Sequence, residues 1–410
     1  MKRLLAVLTL AFSAPSCRDN LVEPPPPPPE PEVLSVAVSP DPATLDIADA
    51  LRFKESVETA NGASKAVTWS VEPPELGTIS ADGLFSPSRI GEGRVKVTSI
   101  ADPAKFATAT VTVVKMEVLA FHRYGDDSTK ARCGGVWCQE IYLQRLDGTG
   151  LRRVTITPWV QDLSPSWFPD GRRLAFTRAN PLPIQVMTVC IVDTWNSGTT
   201  RCFDLGPLTN GSGPSVSPDG KKIALAYFDQ DVVPGPVVAT GIAVVDADGK
   251  NLTRLTRTVC NGGFCTADGG PTWSPDGKWI LFNRPDGNIW RMRPDGSELT
   301  KLIEKAFHAV YSPDGERIAF TSKRTGKVQI FVMNADGTGL QQFTPEDDNY
   351  SAPAWSPDGT RITFSSQGHI TDNTFDKDGE IWVMKADSTG PMVNVTKSPK
   401  NSETQPAWRP

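Results

Sequence analysis

The sequence predicts an all-β protein, a small β-sandwich followed by a six-bladed β-propeller closed by its C-terminal strand, and three observations carry that expectation. A turn-centred string recurs along the C-terminal three quarters of the chain, each copy running into an alternating apolar segment. A second turn string recurs once per unit between two further apolar segments. Helical periodicity is almost absent after the first 17 residues.

The first string is clearest in Pro353-Ala-Trp-Ser-Pro-Asp-Gly359. Its other copies are Pro165-Ser-Trp-Phe-Pro-Asp-Gly171, Pro214-Ser-Val-Ser-Pro-Asp-Gly220, Pro271-Thr-Trp-Ser-Pro-Asp-Gly277 and Ala309-Val-Tyr-Ser-Pro-Asp-Gly315. Pro fixes φ, Asp bonds local backbone and Gly supplies a positive φ, so Pro-Asp-Gly between apolar runs reads as a tight turn joining two strands. The second string, as in Asn334-Ala-Asp-Gly337 after Ile330-Phe-Val-Met333, adds a third strand, a turn and a fourth strand. Four strands per unit, tandemly repeated, is the pattern of propeller blades. Glu117–Arg123 matches the second strand of a blade with no first strand ahead of it, while Gln405–Pro410 is an orphan copy of the first strand. Pairing the two closes a ring of six blades and removes the open sheet edges.

This pattern, (Ala/Ser/Thr)-Trp-Ser-Pro-Asp-Gly followed by Ile-(Tyr/Phe/Trp)-Val-Met-(Asn/Lys)-Ala-Asp-Gly, resembles the propeller repeat of the TolB family over residues 116–410. The resemblance implies a six-bladed propeller and protein recognition near the outer membrane or peptidoglycan. TolB carries a different N-terminal domain and no lipid anchor. One propeller also serves enzymes and binding modules alike.

Residues 33–115 form the sandwich: short alternating runs separated by turn residues, among them Val33–Val38, Ala66–Val71, Gly93–Thr98 and Ala107–Val113. Ala66-Val-Thr-Trp-Ser-Val71 with Gly77-Thr-Ile-Ser-Ala-Asp-Gly-Leu-Phe85 resembles the bacterial immunoglobulin-like domain of group 2, a spacer module, and the resemblance implies that Trp69 is its core tryptophan. Residues 1–16 are a basic start followed by an apolar run and small residues, a signal peptide too short to span as a mature helix. Cys17 after these small residues resembles the lipobox of bacterial lipoproteins, whose cysteine is acylated. The alternative is plain secretion after Ser16. Residues 17–32, with Pro24 to Pro29 unbroken, are a stiff arm; six prolines reach roughly 20 Å.

The net charge of −5 offers no basic field for nucleic acid, so the expected partners are envelope proteins, with membrane contact through the anchor alone and a monomeric state. Besides Cys17, the six cysteines fall in close pairs, Cys133 with Cys138, Cys190 with Cys202, and Cys260 with Cys265. Export and these spacings read as disulfides and not as metal sites. His122, His308 and His369 are the three histidines; a propeller can bring such residues together at its centre, but structural or surface roles are expected for them. No zincin string and no Gly-x-Ser-x-Gly occurs.

The Asp-Gly turns read as turn chemistry, and no cofactor is expected. The one weak candidate for a structural cation such as calcium is the loop holding Asp372, Asp376, Asp378 and Glu380. Binding residues concentrate on variable loops held by a rigid frame. That rule selects the face opposite the Pro-Asp-Gly turns, with Trp137, His308, Asp347, Asp348, Tyr350 and His369 as candidates and no catalytic residue. The expected function is therefore an envelope-anchored protein-binding scaffold. The alternative is a propeller that binds or cleaves polysaccharide or peptide in its central channel.

Overall fold

The structure is a computed structural model, describing residues 27–47, 49–124, 139–157, 160–180, 186–194, 199–206, 209–230, 237–259, 267–366, 370–371, 374–375, 379–398 and 401–410. Cys17, Cys133, Trp137, Cys138, Cys260, Cys265, His369, Asp372, Asp376 and Asp378 lie outside the described residues. The chain divides into two compact units, residues 1–45 with 50–113 and residues 46–49 with 114–410. Among the described residues the only helical element is a 3-10 turn, Pro74–Leu76, and none is a helix long and apolar enough to cross a membrane.

In the first unit a four-stranded sheet runs in the order Ala43–Asp46, Phe106–Val114, Gly91–Ser99, Val67–Glu72. A three-stranded sheet, Leu51–Arg52, Leu84–Pro87 and Gly77–Ile79, and a pair, Glu32–Ser39 with Lys54–Ala60, complete it. Alternation puts Val95, Val97, Ala109 and Val111 in the core with Phe53 and Phe85, whose rings meet edge to face at 6.5 Å. Trp69, expected in this core, is only half-buried. Its indole lies near Gly83, whose φ of +79° closes a turn and where a Cβ would come within 2.5 Å of the Phe53 carbonyl oxygen. The two phenylalanines take the central volume, and Trp69 covers the turn.

The second unit holds, among the described residues, six four-stranded antiparallel sheets, one of them with a fifth strand. Taking each blade from its first strand, blade 2 is Gln161–Trp167, Arg173–Ala179, Met187–Asp193, Thr200–Cys202. Blade 3 is Thr209–Val216, Lys222–Gln230, Val237–Asp246, Thr253–Arg254, with Thr258–Val259 added. Blade 4 is Gly269–Trp273, Ile280–Asn283, Ile289–Met292, Thr300–Ile303. Blade 5 is Phe307–Tyr311, Arg317–Ser322, Gln329–Asn334, Gln341–Gln342. Blade 6 is Tyr350–Trp355, Arg361–Ser366, Ile381–Lys385, Val393–Asn394.

Blade 1 is built from both ends of the unit: Glu403–Trp408 supplies its first strand and pairs antiparallel with Val118–Tyr124, followed by Gln139–Arg145 and Arg152–Arg153. The closure inferred from the orphan strand is thus present, with Leu119 opposite Trp408 and Arg123 opposite Glu403.

Hydrophobic packing follows the same ring. Six clusters of buried side chains each straddle two successive blades, including one that joins Ile381, Val383 and Val395 of blade 6 to Leu119 and Phe121 of blade 1. Both faces of each blade are covered, which is why the second strands read as nearly continuous apolar runs such as Leu174-Ala-Phe176.

The Pro-Asp-Gly turns behave as their residues dictate. Gly171, Gly220, Gly277, Gly315 and Gly359 have φ of +63° to +76°. In Ser274-Pro-Asp-Gly277 the Ser hydroxyl donates to Asp276 at 2.6 Å and accepts from the Trp279 amide at 2.9 Å, and three other blades repeat this lock. Cys190 and Cys202 are directly paired across blade 2 and form a disulfide, with Cα atoms 3.9 Å apart.

Candidate functional site

The first strands of all six blades converge on the ring centre and line a funnel of about 500 Å³ at the end carrying the Pro-Asp-Gly turns. Each brings the same short segment: Pro165 to Trp167, Pro214 to Val216, Pro271 to Trp273, Val310 with Tyr311, Pro353 to Trp355, and Pro406 to Trp408. None of the lining side chains is charged.

A local irregularity sets the shape of this ring. Directly before the funnel segment every first strand holds one residue in the left-handed region: Ser164, Gly213, Gly270, His308, Ala352 and Gln405, with φ between +52° and +58°. Register shifts at the same points mark β-bulges. The exposed bulge amides are met by side chains of the preceding blade: Ser164 by His122 Nδ1 at 3.4 Å, Gly213 by Thr177 at 2.8 Å, His308 by Asn283 at 2.9 Å, and Gln405 by Ser365 at 3.1 Å. These four acceptors occupy one repeat position in the second strand.

Three of the four motif tryptophans act as bolts, while the buried Trp355 Nε1 has no partner among the described residues. Trp167 donates to the Ala407 carbonyl at 3.1 Å, Trp273 to Ser215 at 3.0 Å and Trp408 to Ala354 at 3.2 Å, each reaching the preceding blade. Fixed by neighbours on both sides, the funnel wall is a pre-formed surface.

Further along the first strands lies a layer of buried acid–arginine contacts. Asp162 receives both Nε and Nη2 of Arg178, at 2.8 and 2.9 Å; Arg123 meets Glu403 at 3.1 Å; Arg284 meets Asp268 at 3.4 Å. The three acids sit two residues before their bulges, and each arginine occupies one position in the second strand. Glu140 and Glu380 begin third strands and are tied by the hydroxyls of Thr155 and Thr396. Thr344 does the same for Gln329.

The candidates named from the sequence fall in different places. Glu380 belongs to this repeated lock, also accepting the Ser398 amide at 2.7 Å, which occupies it structurally. His122 is buried in the inter-blade ring, its Nε2 2.6 Å from the Thr404 hydroxyl, and burial lowers its pKa to about 4. His308 is half-buried at a bulge, its Nδ1 without a hydrogen-bond partner among the described residues, and burial lowers its pKa as well. Tyr350 is a core residue against Phe364, 3% exposed, with its hydroxyl donating to Asp347 at 2.9 Å. Asp347 and Asp348 lie on the adjoining turn, their carbonyls accepting from Lys327 and Gln329. Among the described residues no group of three His, Cys, Asp or Glu is arranged to hold a metal ion. The sequence reading missed the funnel lining, although the Pro-x-Trp triplet recurring once per unit is the signal that marks it.

Comparisons with known proteins agree with this architecture. Residues 286–410 match the family model of the TolB beta propeller domain, and residues 32–114 that of the bacterial Ig-like domain of group 2. An uncharacterized protein of Agrobacterium fabrum is 28% identical over 287 residues, covering 56% of this chain and 93% of its own length. The Tol-Pal system protein TolB of Anaeromyxobacter dehalogenans is 37% identical over 92 residues, so the chain spans only 21% of that relative's length and 21% of its own.

Among solved structures, TolB from Acinetobacter baumannii superposes with a TM-score of 0.55 at 18% identity, over 84% of this chain and 82% of that one. Hydrazine synthase of Kuenenia stuttgartiensis gives 0.54 at 13% identity, over 72% and 47%. At such identities these likenesses speak for the fold alone, and the second shows how far one fold ranges in chemistry. This chain carries a TolB-like β-propeller preceded by a group 2 bacterial immunoglobulin-like domain.

Proposed function

We propose that this protein is an exported, lipid-anchored component of the bacterial cell envelope whose propeller is a non-enzymatic scaffold that binds a protein partner. The observation that carries this reading is the funnel: a rigid, uncharged wall of proline, tryptophan and small hydroxyl side chains drawn from six strands. Concave, mostly apolar surface with a few fixed hydrogen-bonding groups suits an inserted peptide segment or loop. General acid–base chemistry needs a titratable group near the reacting atoms, and the lining offers none near neutral pH. The leader, Cys17, the proline arm and the immunoglobulin-like unit support a tether, a clearance arm and a spacer. Relatives named for the Tol-Pal system support the envelope setting.

The test is site-specific photo-crosslinking in intact cells, with the reactive residue at Ser215 in the funnel and, in a second variant, at Asp347 on the opposite, long-loop side. An envelope protein trapped at Ser215 is expected. Adducts at Asp347 alone would move docking to the loop face, and no adduct at either position would remove protein recognition. Cys17→Ser is expected to release the protein from the membrane fraction; unchanged fractionation would contradict the anchor.

A further inference from the structure

The interface between blades 4 and 5 departs from the repeat at three positions that meet in space. Trp279 opens the second strand of blade 4 where blades 5 and 6 have Arg317 and Arg361. Arg291, opposite Leu281 in the third strand, stands where register places Leu143, Ile191, Val244, Val332 and Val383 in the other blades. Tyr311 of blade 5 replaces the tryptophan found in blades 1, 2, 4 and 6.

Between blades 5 and 6 and between blades 6 and 1, an arginine in this position stacks on the next blade's tryptophan, Arg317 over Trp355 at 4.6 Å and Arg361 over Trp408 at 5.3 Å. Between blades 4 and 5 there is a cavity of about 240 Å³ bounded by Trp279, Arg291, Tyr311, Pro275, Asp276 and Asp314. Pro275 and Tyr311 also border the funnel.

The charges in this cavity are arranged by depth. Arg291 lies against the Trp279 ring at 4.6 Å on the cavity wall, and its buried Nε has no hydrogen-bond acceptor among the described residues. Asp276 and Asp314 are exposed turn carboxylates. Each has one oxygen held by its serine and a turn amide, and Asp276 also meets Lys278 at 3.1 Å. A guanidinium on a cavity wall favours a planar acceptor, and carboxylate is the group it matches best. Two ionised carboxylates at the rim oppose a bare anion and favour a ligand that brings hydrogen-bond donors. The Trp279 ring already carries Arg291 and Arg293 at 4.6 and 3.9 Å, so Tyr311 is the aromatic wall left to cover the ligand's carbon skeleton.

We infer that this cavity binds a small carboxylate-bearing molecule with an ammonium or hydroxyl donor a few bonds from the carboxylate, the chemistry shared by amino acids and sugar acids. The volume fits a single such unit. The cavity shares Pro275 and Tyr311 with the funnel wall, but Arg291, which the inference rests on, does not line the funnel.

Saturation-transfer NMR on the full chain, with L-serine and glucuronate as probes and acetate and glucose as controls, tests the inference. At least one of the two probes should receive saturation, and which one names the source; neither control should match it. Arg291→Val installs the residue that blades 5 and 6 already use, so folding should survive while binding weakens at least tenfold. Trp279→Arg/Arg291→Val/Tyr311→Trp, which restores the repeat completely, should abolish it. Silence from both probes, equal binding of acetate or glucose, or binding that persists in the restored variant would overturn the assignment.

Discussion

The interface between blades 1 and 2 and the one between blades 6 and 1 are built to one plan, yet they balance charge differently. In the first, Glu140 and Asp162 are matched by Arg153 and Arg178. In the second, Glu380 and Glu403 stand in the same positions with Arg123 alone among the described residues, because Asn394 occupies the place of Arg153. Glu403 is fully buried, and neither of its oxygens accepts a hydrogen bond from the described residues, although Arg123 lies 3.1 Å away. Burial first, and then the charge of Glu380, push its pKa up to about 8 against the pull of Arg123. The seam where the two ends of the ring meet is thus the same lock with one cation missing. Ring closure rests there more on strand pairing and the apolar cluster than on ion pairs.

The predictions that follow probe this asymmetry. Asp162→Asn should be the most damaging, since it leaves a buried guanidinium without its bidentate partner; chemical denaturation should show a loss of about 3–5 kcal/mol. Replacing Cys190 and Cys202 together with serine removes a cross-link between residues 12 apart, and a loss near 3 kcal/mol is expected. That loss should be equal at pH 6.5 and pH 8, because no charge is involved, which makes the variant a pH-flat reference.

The wild type itself should weaken between pH 6.5 and 8. A carboxyl whose folded pKa is raised keeps its proton in the native state after the unfolded chain has released it, so stability falls as pH rises through this range. At about 1.4 kcal/mol per pH unit for one proton, the drop is roughly 2 kcal/mol. Buried neutral histidines such as His122 act in the opposite direction, but only as pH falls from about 6.5 towards 4. Burial raises Glu140 and Asp268 as well, so it is removal of the Glu403 carboxyl, and not the window alone, that assigns the drop to the seam. The smallest expected effect is from Asn394→Arg, which supplies the missing guanidinium: about 1 kcal/mol of added stability at pH 8 and less at pH 6.5.

Much of the architecture was legible because it is periodic. Pro-Asp-Gly dictates its turn through local chemistry, and an unpaired first-strand copy at Gln405–Pro410 can be matched to an unpaired second strand at Val118–Tyr124 without coordinates. The site was less legible because its meaning is relational. Trp167 reads as an aromatic in a motif, and only the fold shows its indole bolting blade 2 to Ala407 across 240 positions of sequence. Tyr350 reads as a surface aromatic on a polar turn, whereas the fold packs its ring on Phe364. Arg291 carries no local motif at all. It becomes informative only when the register aligns it with the aliphatic residues of five other blades.

The most direct test of the seam is stability as a function of pH for the wild type and Glu403→Gln, measured side by side by denaturant unfolding. A wild-type loss of roughly 2 kcal/mol between pH 6.5 and 8 that is largely absent in the glutamine variant is the predicted result. Parallel curves for the two proteins would contradict it, and would mean that Glu403 is ionised and fully compensated in the closed ring.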